Sequence, residues 1–461
     1  MTTSVQMPLW LLLVILAFAA YAALEKVMLP SVRWFFRHRM ERVVARLNEK
    51  LERPIQPFKL ARRHDMIQRL IYDPEVSRAI VAHAAEEGVP ENVAFETAQR
   101  YAREIVPSFS ASLYFGFAIK LAKLISTSLY RVRLGHFAER KLAEVDENAT
   151  VIFVMNHRSN MDYVLVTYLA AERSALSYAV GEWARVWPLS RLIKAMGAYF
   201  IRRKSRNDLY RKVLARYVRL ATDGGVMQAV FPEGGLSLDG ALSEPRLGLL
   251  KYVVEGYDVD RRDVVFVPVA LNYDRVFEDR ILVAAGQAGE RRFRAKISLI
   301  AKFLLKQLWL RLRGKYHRFG YAAVSFGAPV SLREFVKDRD AKSGDVVVPL
   351  AQELMHRIGD EVPVLPVPLV ATALLRAQEP LSRAQLEEAV AKLMADLPNA
   401  HVHIPRNDQG YAVEVGLRNL RRRLIAIEKD EKFSISPRDA PIISYYAASI
   451  AHLFRVRGKE E

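Results

Sequence analysis

The residues most suited to chemistry lie together in the run Asn156-His157-Arg158-Ser159-Asn160-Met161-Asp162. An imidazole is the natural general base near neutral pH. It works best with a carboxylate partner that holds one ring nitrogen protonated and stabilises the imidazolium as it forms. Asp162 follows His157 by five positions, so the two side chains can meet if His157 sits in a turn and Asp162 in the first turn of a helix. Ser159 lacks the flanking glycines of a nucleophile elbow, and the chain has no cysteine at all. A His157–Asp162 pair would therefore activate an acceptor group directly. On spacing alone, a surface turn with incidental polar residues fits better.

The surroundings of the run favour a positioned site. An apolar, β-branched stretch, Val151–Met155, precedes it, and an apolar helical stretch, Met161–Ala171, follows. A motif at the C-terminal end of a strand in an α/β sheet faces the ligand crevice. Further short strands are expected at Ala198–Ile201, Val226–Phe231, Val264–Leu271 and Ala322–Phe326, with a helix at Asn207–Ala221 between them. Strands alternating with helices define an α/β class with a partly parallel sheet. Residues 31–140 read as a helical region, with periodic runs at Ser77–Glu87, Ala94–Ile105 and Leu113–Tyr130 punctuated by prolines. Residues 141–335 form the expected α/β domain. Residues 336–461 return to helix, most clearly over Leu381–Leu397.

The absence of cysteine excludes disulfides, thiolate metal sites and a cysteine nucleophile. Hydrophobic residues make up 51% of the 461, which rules out a mostly disordered chain. The formal charge of +18 calls for an anionic partner: nucleic acid, a membrane surface or anionic substrates. No zinc-finger, RNP or Walker-type pattern supports nucleic acid. Residues 7–24 read MPLWLLLVILAFAAYAAL without a charge. At helical rise that is roughly 27 Å, so a transmembrane or membrane-anchoring helix is expected, with a buried core helix as the alternative. Lys26, Arg33, Arg37, Arg39 and Arg42 follow it and place the catalytic domain on the cytoplasmic side of the inner membrane. Residues 298–313 are apolar with interspersed Lys and Arg, and fit either an interfacial helix or a core helix with one solvated edge.

Four blocks carry a family resemblance: NHRSNMDYVLV at 156–166, MGAYFIRRKSRNDLYRKVLARYV at 196–218, VFPEGGLSLDG at 230–240 and VFVPVALNYDRVFED at 265–279. EIVPSFSASLY and PVPLVATALL add to them. The chain resembles the glycerolipid acyltransferases over about residues 100–400, most closely the bacterial and mitochondrial glycerol-3-phosphate acyltransferases. The resemblance implies a mixed sheet flanked by helices, and transfer of a fatty acyl group from acyl-CoA or acyl-carrier protein to a glycerol hydroxyl. It makes His157 the base and Asp162 its orienting carboxylate. It assigns Arg202 and Arg203 to the acceptor phosphate, and Lys204 adds a third cation; planar guanidinium groups suit that anion. If the two arginines flank a strand they point to opposite faces, so only one reaches the phosphate. Glu233 would orient substrate or brace its loop. Gly234 and Gly235 would bring backbone amides close to an anion or oxyanion. Pro268 and Val269 would wall the acyl or acceptor pocket or serve packing.

One departure bears on the acceptor. The family carries an arginine directly after the two glycines, and the nearest subgroup another two positions later. Here Leu236 and Leu238 occupy those positions, with Arg246 downstream. The expected function is acyl transfer to the sn-1 hydroxyl of glycerol-3-phosphate, requiring no metal, no covalent enzyme intermediate and no cofactor beyond the thioester co-substrate. The expected partners are membrane lipids, the acyl thioester donor, acyl-CoA or acyl-carrier protein, and a small phosphorylated acceptor. The alternatives are the same chemistry on lysophosphatidate or another lipid hydroxyl, and a non-catalytic lipid-binding protein.

Overall fold

The computed structural model describes residues 7–24, 29–170, 175–181, 185, 187, 189–202, 207–289, 309, 313–314, 316–337 and 346–457. Residues Met1–Ile55 form one compact unit and Gln56–Glu461 a second. In the first unit lie α1 (Leu9–Ala23) and α2 (Leu29–Asn48). Pro8 is the N-cap of α1, whose 15 residues are all apolar. At helical rise α1 is roughly 22 Å long, short of a bilayer core of about 30 Å. Among the described residues no helix is long and apolar enough to cross a membrane. The expected spanning helix over 7–24 is therefore not found. Residues 298–313, expected as an interfacial or core helix, fall almost wholly outside the described residues.

The second unit opens with a helical layer, α3 (Arg63–Ile71), α4 (Pro74–Glu87), α5 (Glu91–Ile105) and α6 (Ile119–Leu129). The local signals are clear in α4. Asp73 accepts a hydrogen bond from Glu75 N–H, Pro74 occupies the first helical position, and Gly88 closes the helix in the left-handed region at φ 63°. A π turn, Tyr114–Ala118, leads into α6.

Eight strands form one sheet: β1 (Arg131–Phe137), β2 (Thr150–Met155), β3 (Ser177–Gly181), β4 (Tyr199–Ile201), β5 (Gln228–Val230), β6 (Val264–Tyr273), β7 (Tyr321–Phe326) and β8 (Val330–Ser331). Their order is β1-β7-β6-β2-β5-β3-β4, with β8 pairing to β6. The neighbours from β6 through β2, β5 and β3 to β4 are parallel, and β7 and β8 run antiparallel to β6. All residues of β2 and β6 are buried. Strands covered on both faces read as continuous apolar runs, and each fully buried Val or Phe in them contributes about 1.5–3 kcal/mol.

Helices cover this sheet, among them α7 (Met161–Leu169), α8 (Asp208–Asp223) and α9 (Asp279–Gln287). Asn207 caps α8 by accepting from Tyr210 N–H. The C-terminal part contributes α10 (Val347–Asp360), α11 (Pro366–Arg376), α12 (Arg383–Ala395), α13 (Gln409–Arg421) and α14 (Ala440–Ala451). A three-stranded sheet accompanies them: β9 (Leu381–Ser382), β10 (Ala426–Lys429) and β11 (Lys432–Ile435). Two findings differ from the expected layout. β1 lies inside the stretch read as helical, because its residues are mostly exposed and its Arg, Gly and His mask the alternation of an edge strand. The small sheet interrupts the C-terminal helices, and its strands of two to four residues are too short to show a period.

Asp274, just past β6, ties these layers together. Its Oδ2 accepts from Tyr321 N–H of β7 at 2.7 Å, and its Oδ1 accepts from Val367 N–H of α11 at 2.9 Å. Burial pushes this carboxyl up to about 7, against the pull of the two amides. An unfolded aspartate ionises near 3.9. Between about pH 4 and 7 the folded chain therefore binds the extra proton, and Asp274's contribution to stability falls as pH rises through that window. Denaturant unfolding of the wild type and Asp274→Asn should show the wild type's advantage shrinking from pH 5 to pH 8; a constant or growing advantage would refute this account.

Candidate active site

β2 delivers its successor residues to the C-terminal edge of the parallel strands. Asn156 fixes the exit by a two-way amide latch. Its Nδ2 donates to Leu271 O at 3.0 Å, and its Oδ1 accepts from Leu271 N–H at 2.8 Å. His157 and Asp162, the expected catalytic pair, are brought together. His157 Nδ1 lies 2.9 Å from Asp162 Oδ2, with the histidine 2% exposed and the aspartate fully buried. A carboxylate accepts, so Nδ1 carries the proton and the ring's lone pair falls on Nε2. The imidazole stacks on Phe231 at 4.0 Å between centroids and meets the edge of Tyr163 at 5.4 Å.

Asp162 is heavily solvated by protein. Its Oδ2 also accepts from Arg158 N–H at 2.7 Å and Ser159 N–H at 3.0 Å, and its Oδ1 from the Tyr273 hydroxyl at 2.6 Å. It sits in the first turn of α7, where the helix dipole favours negative charge. Burial and the Asp162 charge push the Tyr273 phenol well above its usual range, so it remains a donor.

Two further buried carboxylates hold the loop. Glu233 Oε1 accepts from His157 N–H at 2.8 Å and its Oε2 from Ser243 N–H at 3.2 Å. Burial pushes its carboxyl up to about 7, while those amides and the nearby Arg158 charge pull it down. Glu278 Oε2 accepts from the Ser159 hydroxyl at 2.7 Å, and its Oε1 from Asn160 N–H and Nδ2 at 3.2 and 3.0 Å. Ser237 N–H donates to His157 O at 2.9 Å. Arg158 is buried beneath, its guanidinium donating to Gly240 O and lying 5.0 Å from the centre of the Tyr445 ring in α14. Gly240 has φ 89°, and a Cβ there would come within 1.9 Å of Tyr445 O. This position admits only glycine.

The remaining expected residues are placed differently from the catalytic pair. Glu233 braces the His157 backbone. Gly234 has φ 68° and makes the turn, its N–H donating to Phe231 O at 3.0 Å, and Gly235 follows it in the same loop. Pro268 is buried within β6, opposite Val154 of β2. It falls between the segment of β6 paired to β8 and that paired to β7. There its missing N–H costs no ladder bond, and its carbonyl accepts from Gly327 N–H at 2.9 Å. Arg202 is engaged in a bidentate pair. Its Nε and its terminal amino nitrogen donate to the two oxygens of buried Glu104 at 2.9 and 2.6 Å, and Arg185 shares that carboxylate at 2.8 Å. Arg203 and Lys204 lie outside the described residues. Leu236 and Leu238 are half-buried and pack against the core. Sequence reasoning missed Asn156, Arg158, Ser237, Tyr273 and Glu278 as parts of the site. All five lie inside the quoted blocks, which was the available signal.

The chain is similar in sequence to known acyltransferases. Residues 136–272 match the family model described as Acyltransferase, and residues 305–458 match the Glycerol-3-phosphate acyltransferase C-terminal region. Over these two regions the chain is similar to the glycerolipid acyltransferases. Within them it is similar to proteins named glycerol-3-phosphate acyltransferase. That of Alteromonas mediterranea is 26% identical over 91% of this chain and 53% of its own length. That of Pseudomonas syringae pv. syringae is 28% identical over 86% of this chain and 49% of its own. The chain thus spans about half the length of the curated relatives it matches. A solved structure, the 1-acyl-sn-glycerophosphate (LPA) acyltransferase PlsC from Thermotoga maritima, aligns over 53% of this chain and 80% of its own at 19% identity, with a TM-score of 0.31.

The role of Glu278 can be checked on the folded chain. Glu278→Ala strips the acceptor from one hydroxyl and two N–H donors of the site loop. It should cost roughly 2 kcal/mol, each lost bond to a charged group being worth about 1.5–3 kcal/mol before the relief of burying a carboxylate. Unfolding curves indistinguishable from wild type would show that the loop holds itself.

Proposed function

We propose that this chain transfers a fatty acyl group from an acyl thioester, acyl-CoA or acyl-carrier protein, to the sn-1 hydroxyl of glycerol-3-phosphate. The names of its relatives support the reaction class. The buried 2.9 Å bond between His157 and Asp162 carries the mechanism. His157 Nε2 takes the acceptor's hydroxyl proton as the oxygen attacks the thioester carbonyl. Asp162 holds Nδ1–H throughout and offsets the charge of the imidazolium. The tetrahedral intermediate collapses, the C–S bond breaks, and the departing thiolate takes the proton back from His157. Of the amides after Glu233, those of Gly234 and Ser237 are already donated to Phe231 O and His157 O. The proposal therefore rests the oxyanion on the amides of Gly235 and Leu236.

A specific observation favours a second reading of the acceptor. Arg202 is occupied by Glu104, and Leu236 and Leu238 bring no charge. The same chemistry on a lipid hydroxyl that carries no phosphate follows if Arg203 and Lys204 do not supply the phosphate site. An acyl-transfer assay with labelled acyl-CoA and acyl-carrier protein decides between these. Glycerol-3-phosphate is expected to be acylated. His157→Ala should abolish turnover, and Asp162→Asn should lower kcat at least about 100-fold while the chain stays folded. Full activity of His157→Ala would sink the mechanism. Rejection of glycerol-3-phosphate with acylation of another hydroxyl lipid would install the second reading.

Membrane lipids are the proposed neighbours, with the catalytic unit at the cytoplasmic face of the inner membrane. The support is α1, whose Leu9, Trp10, Leu13, Leu16 and Phe18 are all exposed, and the basic residues that follow it. The helix would embed without crossing. Wild-type chain should sediment with anionic lipid vesicles, and a chain lacking residues 1–28 should do so less; equal sedimentation would remove α1 from the anchoring.

A further inference from the structure

Away from His157, on the far edge of the sheet, two imidazoles converge on one carboxylate oxygen. His136 Nδ1 lies 2.8 Å from Glu361 Oε2, and His401 Nε2 lies 3.1 Å from the same atom. The three ligand atoms all lie within 4.8 Å of one another. They come from three separate elements: edge strand β1, the C-cap of α10, and the segment after α12. β1 is three strands from β2, or roughly 14 Å at about 4.8 Å per strand.

The geometry points to a divalent-cation site, most suited to Zn²⁺, formed by His136, Glu361 and His401. The donor set is two imidazole nitrogens and one carboxylate oxygen, which zinc accepts with its fourth position left for water. Ligands about 2.0–2.1 Å from a tetrahedral zinc sit about 3.3 Å apart, close to the two distances found. With both rings neutral and Glu361 ionised the set carries one negative charge.

The backbone around the set is fixed. His136 N–H donates to Ser325 Oγ at 3.2 Å. His401 O accepts from Val364 N–H at 3.0 Å, and His403 N–H donates to Val364 O at 2.9 Å, locking the segment by a bridge. At Gly327 a Cβ would meet Glu361 Cγ and Oε1 at 2.9 Å, so this glycine makes room for the carboxylate. The side-chain ends are half-open to solvent, His136 being 40% exposed, which leaves a path for the ion and its water. The rings now stack almost parallel, 4.4 Å apart. Aiming both lone pairs at one ion requires them to rotate about Cβ–Cγ, a broad torsion. The ion would join β1 to the C-terminal region as a structural cross-link and would take no part at His157.

Isothermal titration of the purified full-length chain with Zn²⁺ tests this. One equivalent per chain is expected, weakened at least about tenfold in His136→Ala and in His401→Ala, with acyl transfer by the variants unchanged in the absence of metal. A thermal midpoint that rises with Zn²⁺ in the wild type and stays flat in the variants is expected alongside. Should a variant fail to fold, Co²⁺ added to the wild type serves alone, by the intense visible absorption of a four-coordinate ion. The weak absorption of hydrated Co²⁺, no stoichiometric zinc uptake, or zinc uptake that survives in a folded variant would each overturn the site and leave a hydrogen-bonded cluster only.

Discussion

Everything at the sheet's active edge is organised around one buried carboxylate, that of Asp162. Asp162 has no access to water, and an uncompensated charge there would be expelled or neutralised. The chain supplies the missing solvation from four donors: the imidazole, two loop amides and the Tyr273 hydroxyl. Those donors can converge only if the loop from 157 to 160 wraps tightly around the carboxylate. The wrap is enforced from both sides, by Glu233 beneath His157 and by Glu278 beneath Ser159 and Asn160. The imidazole is thus oriented by a network whose members have few alternative partners, which is how a base is held in place without ordering at each turnover.

The same requirement explains why the C-terminal region is packed into the acyltransferase domain. Glu278 and Asp279 begin the segment that enters α9, and the Tyr446 hydroxyl of α14 and Arg423 both donate to Asp279 Oδ2. Arg158 rests on Tyr445, and Gly240 approaches the same residue's carbonyl. β7, which completes the sheet beside β6, lies within the stretch matched to the C-terminal family region. The two matched regions are accordingly parts of one folded body, with the sheet running through both.

How much of this was legible depended on how local each interaction is. β2 and β6 announced themselves because both faces are buried, and α8 and α12 because their caps and apolar faces lie within a few residues. The pairing of His157 with Asp162 needed only a turn. What sequence could not show were partners brought from afar. Tyr273 is 111 positions from Asp162, and Glu104 is 98 from Arg202. The second case matters most, since an arginine that reads as a phosphate ligand proved to be occupied by a carboxylate. The edge strand β1 was hidden because exposure on its outer side removes the apolar alternation that marks a strand.

The strand order also sets a clock. β1 pairs with β7, and Arg131 meets Tyr321 about 190 positions later. A ribosome working at about 5–20 residues per second needs roughly 10–40 s to make the intervening chain. During that interval β2 and β5, only about 80 positions apart, already have each other, while β1 has no sheet to join. Its arginines and histidine then act as gatekeepers, discouraging the waiting strand from pairing with another chain.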